Sequence, residues 1–389
     1  MSKILRNLHL MANRNVKKTL IFKTSLAGHR LEYVHHIYEE ACKREEEEFV
    51  FALPDSFSSL KQNFAWEECG HIRIEILDDK ELQPIHNAKG RLGRAKRSVE
   101  LLRKYVKIEQ PSHVLLIMLM SYMPYLALMK WHGVKISGII YSIYLYETSS
   151  FIRQLVNRFF YTLFAKRKCF GKLFILNDEQ SARKLNSLYK TEKFSYLPDP
   201  IPTINKEEVK NIRIDLGICP NDRMFLHFGG LTKRKGTLLI LDAISIMKEE
   251  ELKDKVFVFA GVVGSDIKES FYTKIKQLKE RVRIIVYDEF CSYSLINNLS
   301  ESCDVILIPY SNTSQSSGAI GYASFFNKPV IGPSKGLIGG LIKEYNMGMQ
   351  LETISADSIK GAICGDLPSH SQNYYMTHTV KDFTSALLS

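Results

Sequence analysis

Two short segments hold the residue types best suited to chemistry. Residues 229–236, GGLTKRKG, set Gly229 and Gly230 directly after the apolar run RMFLHF, with Lys233, Arg234 and Lys235 just beyond. Glycine lets the backbone come close to a ligand, and three cations beside a helix start add positive charge. Residues 311–319, SNTSQSSGA, follow a second apolar run, DVILIPY. There Ser316, Ser317 and Gly318 offer hydroxyls and backbone N–H groups at the N-terminus of the next helix, where anions bind well. Lysine-rich and Ser/Gly turns are common surface features when taken singly. Two of them at strand ends of one sheet are expected to converge on one diphosphate.

Such loops act together only if a single sheet carries them. In the second half, apolar runs at 223–228, 255–261, 283–287, 304–310, 328–332 and 348–352 alternate with helical segments at 237–248, 270–279, 294–300, 319–326, 337–345 and 356–363. The runs are nearly continuous in hydrophobicity rather than alternating, as in parallel strands covered on both faces. Alternation at this interval specifies βαβ units and a doubly wound α/β sheet, whose ligands sit outside the carboxyl ends of the strands. The first half repeats the pattern less regularly. Strand candidates lie at 19–24, 48–53, 71–77, 113–119, 137–143 and 172–177, a short one starts at 194, and a helix at 31–43 follows the turn at Gly28 and His29. The glutamate run 45–48 reads as a solvated helix end. Pro198, Pro200 and Pro202 before the charged KEEVK mark a domain boundary. The expected units are 1–203, 204–371 and an amphipathic C-terminal helix in 372–389.

Composition narrows the class. A chain of 389 residues, 45% hydrophobic and 24% charged, has room for two globular domains. Its seven cysteines are odd in number and lack a C-x-x-C pair, which argues against a disulfide framework or zinc ribbon and for a reducing cytosol. The basic N-terminus is too often interrupted for a signal sequence. The most apolar stretch, 114–129, is shorter than a membrane span and reads as a strand, a turn and a helix start. The expectation is therefore a cytoplasmic protein.

The net charge of +11 belongs to one half: residues 1–200 hold 32 Lys and Arg against 21 Asp and Glu, and residues 201–389 hold 21 of each. An acidic partner for the first domain alone follows. The densest basic segment, 89–107, reads as a helix with Leu92, Ala95, Val99, Leu102 and Val106 on one stripe. Arg94, Lys96, Arg97, Arg103, Lys104 and Lys107 fall largely on the others. A core-packed helix with a solvated basic face accounts for this. The same face also suits peripheral contact with an anionic membrane, where each basic residue near the surface adds about 1 kcal/mol. Nucleic acid is disfavoured, because the run lacks the interleaved aromatics that stack bases.

The segment FGGLTKRKGTLLILDAI, followed by DVILIPYSNTSQSSGAIGYASFFNKPVIGPSKGLIGGLI, resembles the donor-binding domain of glycosyltransferase family 4 over most of residues 223–350. GHRLEYV near the start and YLPDPI at the domain junction are weaker matches. The resemblance implies the GT-B architecture: two Rossmann-like α/β domains facing each other across a cleft, with the last helix returning to the first. It implies retaining transfer of a sugar from a UDP- or GDP-linked donor to a glycan or lipid-linked acceptor, in surface polysaccharide or glycolipid synthesis, with no cofactor. By position, Lys235 matches the family's phosphate-contacting lysine, and Ser316, Ser317 and Gly318 lie in the loop that contacts the donor phosphates. Gly229, Gly230 and Tyr322 complete the donor-binding candidates. Gly28 and His29 match a Gly-rich turn of the acceptor domain. Tyr144 falls where many members carry a histidine near the transferred sugar, so His29 and Tyr144 are the catalytic candidates.

The departures matter as much. The family usually carries two glutamates eight apart around the second loop; aligning back from KPVI puts Ser314 and Tyr322 in their places. Gly230 stands where an arginine commonly precedes the lysine. Losing a hydrogen bond from a charged group costs roughly 1.5–3 kcal/mol, so these departures are expected to weaken donor binding. No Asp-x-Asp pair is present, so no metal is expected. Two alternatives stay open: a non-catalytic sugar- or nucleotide-binding relative assisting a partner enzyme, motivated by the missing glutamates, and a nucleotide-sugar epimerase on the same fold.

Overall fold

The computed structural model describes residues 16–26, 30–143, 145, 151–201, 204–366 and 369–389. The chain forms two compact units: the first runs to Leu197 and takes in Thr384–Ser389, and the second is Pro198–Phe383.

The first unit is built on a seven-stranded sheet of β1 (Lys18–Phe22), β2 (Glu48–Pro54), β3 (Ile72–Leu77), β4 (His113–Leu116), β5 (Lys135–Ile140), β6 (Phe170–Leu176) and β7 (Phe194–Leu197). All neighbours pair in parallel, in the order β3-β2-β1-β4-β5-β6-β7. β2 is buried along nearly its whole length, as its unbroken FVFAL requires when helices cover both faces. Leu20, Phe22, Val50, Ala52, Val114, Leu116, Ile136 and Ile140 form one core with Val99, Leu102, Leu126, Tyr161, Phe164 and Leu185. The helices Gly90–Glu109, Tyr125–Leu128, Phe151–Lys166 and Glu179–Tyr189 therefore share one face of the sheet.

The second unit repeats the plan with six parallel strands: β8 (Arg223–Phe228), β9 (Lys255–Ala260), β10 (Arg283–Tyr287), β11 (Val305–Leu307), β12 (Val330–Pro333) and β13 (Gly348–Leu351). Their order is β10-β9-β8-β11-β12-β13. In both sheets the chain reverses its direction of travel beside the first strand, between β1 and β4 and between β8 and β11. Those are the switch points at which doubly wound sheets bind ligands.

Four sequence expectations need correction. Cys42 and Cys69 are joined by a disulfide, with Cα atoms 5.8 Å apart, although the cysteine count and spacing argued against bridging. The pair ties the end of the helix Arg30–Cys42 to the segment before β3. A lone bridge between distant residues leaves no local spacing signature. The glutamates 45–48 are not a helix end: the helix stops at Cys42 and the run turns into β2, which Glu48 opens. Leu92 is exposed, whereas Ala95, Val99 and Leu102 are buried, because the first turn of that helix extends past the core. The tail is two helices, Asn373–Thr377 and Val380–Leu388, separated where His378 is buried against Tyr374. Among the described residues, no helix is long and apolar enough to cross a membrane.

Candidate functional site

β8 and β11 lie side by side at the centre of the second sheet, Phe225 opposite Val305 and Leu226 opposite Ile306. Both candidate loops leave from their carboxyl ends. After β8 the backbone turns at Gly229 with φ +90°, and a Cβ there would collide with the Lys235 ammonium. The lysine thus lies back over its own loop. Its Nζ donates to the Phe228 carbonyl at 3.3 Å and sits 5.4 Å from the centre of the Tyr310 ring. The loop closes as a 3-10 turn, Lys235 N donating to Thr232 O at 3.1 Å and Gly236 N to Lys233 O at 3.0 Å. Gly236, at φ +74°, begins the helix Thr237–Ser245, and a side chain on it would strike the Pro309 carbonyl. Here glycine answers two demands at once, a left-handed backbone and close approach of two loops.

His227 sets the loop from beneath. One ring nitrogen, Nδ1, lies 2.8 Å from the Leu307 carbonyl, and the other, Nε2, lies 3.0 Å from Thr237 Oγ1. A carbonyl only accepts, so Nδ1 carries the proton and Nε2 accepts from the threonine. Burial lowers the ring's pKa to about 4, so the histidine is neutral and serves as a fixed link between β8, β11 and the helix start.

The second loop is fastened at three points. Ser311 donates to the Arg234 carbonyl through its N–H at 3.0 Å and its hydroxyl at 3.1 Å, joining the two loops directly. Asn312 Oδ1 accepts from the N–H and hydroxyl of Ser314, at 3.1 and 2.8 Å. Thr313 O accepts from Leu337 N and Ile338 N, at 2.8 and 3.3 Å, capping the helix Gly336–Glu344. Ser317 precedes the helix Gly318–Phe325 and makes no side-chain capping bond; its hydroxyl instead donates to Tyr310 Oη at 3.3 Å. The first-turn N–H groups of Gly318 and Ala319 have no acceptor within the helix, and a Cβ on Gly318 would meet nothing within 4 Å.

The sequence candidates therefore sort cleanly. Gly229, Lys235, Ser317 and Gly318 come together around Tyr310. Tyr322 is buried, its ring edge-on to Phe228 at 5.4 Å, so it lies behind the carbonyl to which Lys235 donates. Gly230 is exposed, and a Cβ added there would meet nothing within 4 Å. The Ser316 hydroxyl donates to Asp199 Oδ2 at 2.6 Å, which turns it toward the segment after β7. Gly28, His29 and Tyr144 lie outside the described residues. The sequence reading passed over Tyr310, Asp199 and His227. Tyr310 ends the run DVILIPY and Asp199 sits in YLPDPI, so both were in view but read as strand end and boundary.

A separate cavity of about 400 Å³ in the first unit is lined by Lys17, His113, Lys135, Lys172, Leu387 and Ser389 among others. It lies at the amino ends of β1, β4, β5 and β6. Ligand loops of doubly wound sheets leave from the carboxyl ends, so this cavity is not the donor-type site.

No protein-family model matches the sequence, and no curated protein matches it. Solved structures do. WaaG, a glycosyltransferase involved in lipopolysaccharide biosynthesis, aligns with 96% of this chain and 95% of its own at TM-score 0.62 and 15% identity. Anabaena HepE in complex with UDP and glucose aligns over 96% and 98% at TM-score 0.64 and 16% identity. A putative UDP-N-acetylglucosamine 2-epimerase from Listeria monocytogenes aligns over 96% and 94% at TM-score 0.60 and 12% identity. At such identities the likeness establishes the fold: two parallel-sheet α/β domains of the GT-B type.

Proposed function

We propose that this chain is a retaining glycosyltransferase whose second unit binds a nucleotide-sugar donor and whose first unit receives a glycan or lipid-linked acceptor. The observation that carries the reading is the union of Lys235 with the N-terminus of the helix Gly318–Phe325 through Tyr310. A cation and a helix start beside one tyrosine suit a diphosphate. As the sugar leaves, negative charge grows on the phosphate oxygen. Donors already held in place stabilise that charge without reorganising. Lys235 and the Gly318 and Ala319 N–H groups take this role, with Gly229 and Gly230 giving the phosphates room. UDP is the preferred nucleotide, since HepE was solved with it. Phe290, 81% exposed beyond β10 at the same end of the sheet, offers a ring face for the base. His29 and Tyr144 are assigned to the sugar and acceptor side. Transfer runs without a metal at the donor phosphates, consistent with the absence of an Asp-x-Asp pair.

Peripheral contact with an anionic inner membrane surface belongs to the same proposal, and so does a place in surface polysaccharide or glycolipid synthesis. Arg91, Arg94, Lys96, Arg103 and Lys107 are exposed on the helix Gly90–Glu109. On the same sheet face, the helix Phe151–Lys166 exposes Phe151, Ile152, Leu155, Val156 and Phe159, one apolar stripe at helical spacing. Basic and apolar groups exposed on helices of one sheet face suit a lipid interface. The likeness to the putative epimerase motivates the second reading, and the product decides between them. With UDP-glucose and a lipid-linked acceptor, a glycosylated acceptor appearing together with UDP supports transfer. A C2-epimerised nucleotide sugar formed without acceptor supports epimerisation.

A further inference from the structure

We propose that His35, His36 and Glu39 bind a divalent transition-metal cation of the zinc class. All three stand on the helix Arg30–Cys42 of the first unit, and one ligand atom from each lies within 4.8 Å of the others. The site is independent of the donor loops and of the transferase reading.

The His35 tautomer is set by its surroundings. His35 Nε2 lies 2.7 Å from the Ala65 carbonyl, so that nitrogen bears the hydrogen and Nδ1 keeps its lone pair. The ring stacks on Phe64 at 4.6 Å and meets the Trp66 edge at 5.0 Å, which holds its orientation. His35 Nδ1 then faces Glu39 Oε2 at 3.6 Å, and His36 Nδ1 faces the same oxygen at 3.7 Å. Both separations are too long for a hydrogen bond. Among the described residues, His35 Nδ1 and both ring nitrogens of His36 are buried without a hydrogen-bond partner, and both histidines are more than nine-tenths buried. Leaving such nitrogens unmet is unfavourable.

A metal ion meets the need that a proton at these distances does not. Two ligands each about 2.1 Å from one ion, at the tetrahedral angle, stand about 3.4 Å apart. The two measured separations, 3.6 and 3.7 Å, lie within about 0.3 Å of that spacing. Two imidazoles and a carboxylate select zinc and its first-row neighbours over magnesium or calcium, which take oxygen ligands. The Ala65 carbonyl is the kind of outer partner that orients a ligating histidine. The Glu39 side chain is half-exposed, giving the ion a route in and an outward position for water. Because His35 also packs on the 64–66 segment, the ion would brace this helix against the chain that Cys42–Cys69 already ties to it.

The test uses the full chain, stripped with a chelator and titrated with Zn²⁺ by calorimetry and with Co²⁺ by visible absorption. The expected result is one equivalent of tight Zn²⁺ and a Co²⁺ spectrum without thiolate-to-metal charge transfer. Glu39→Ala, at an exposed side chain that leaves the helix intact, and His36→Ala should each weaken binding at least tenfold, with native far-ultraviolet circular dichroism as the control. No stoichiometric binding by the unaltered chain would overturn the proposal. So would equal binding by both variants, or a thiolate signature placing the ion on cysteine.

Discussion

The two units share one sheet plan and put their recognition chemistry in opposite kinds of place. In the second, the candidate site is a few atoms held by backbone: Gly229 and Gly236 at positive φ, a buried neutral His227, and loops joined through Arg234 and Ser311. In the first, the distinctive chemistry is spread over a surface, with basic side chains on one helix and apolar ones on another. A fitted site gains specificity from closeness and is fragile. A spread surface gains affinity from many weak contacts and tolerates change. Single substitutions should therefore act strongly in the second unit's loops and weakly on the first unit's surface helices.

The largest effect is expected at Gly236. A valine there meets a left-handed backbone and the Pro309 carbonyl, so Gly236→Val should destabilise the second unit by about 3 kcal/mol or more. Chemical denaturation should show that loss in the second unit's transition while the first unit's stays in place; coincident unchanged transitions would break the comparison.

Acid comes next. The buried His227 titrates at about 4, lowered by burial, against about 6.5 in an unfolded chain. Below 6.5 the unfolded state takes up a proton that the folded state refuses. Stability is therefore full above about 6.5 and falls as pH drops toward 4, by about 3 kcal/mol for a shift of this size. Buried His378, also lowered to about 4 mainly by burial, adds to the same unit. Melting the His227→Gln variant across that range should show a shallower pH slope than the parent.

Gly230→Arg sharpens the contrast in the other direction. The position has room for a side chain, and a guanidinium beside Lys235 should tighten donor binding about tenfold, as one charged hydrogen bond would. Unchanged or weaker binding would move the phosphates away from this loop. The smallest effects belong to the basic helix. Arg94→Gln should reduce binding to anionic vesicles about fivefold at low salt, the worth of about 1 kcal/mol. Arg97→Gln should cost less, because Arg97 is already paired with Glu100 at 2.8 Å.

Much of this was legible in the residues. Among the described residues, each of the thirteen strands overlaps a run picked out by pattern, most plainly where a strand such as β2 or β9 is buried on both faces and leaves an unbroken apolar signature. The helices Asp79–His86 and Glu179–Tyr189 were harder to see, since they are short and polar on one side. Their starts are marked by caps, Asp78 accepting from the Glu81 N–H and Asp178 from the Ser181 N–H. Lys235 and the Ser317–Gly318 turn were found because anion sites are built locally. Tyr310 escaped because its role depends on a neighbour strand's loop, and the orientation of Ser316 toward Asp199 depends on contact across 117 residues. The Cys42–Cys69 bridge and the His35, His36 and Glu39 cluster likewise depend on tertiary placement of side chains.

The central claim is that Lys235 and the start of the helix Gly318–Phe325 hold a donor diphosphate. The most direct measurement is calorimetric titration of UDP, GDP and UDP-glucose into the parent chain and into Lys235→Ala. Saturable binding of one nucleotide by the parent is expected, weakened about 10- to 150-fold in the variant, with the fold unchanged. Equal affinity in both proteins, or no nucleotide bound by the parent, would contradict it.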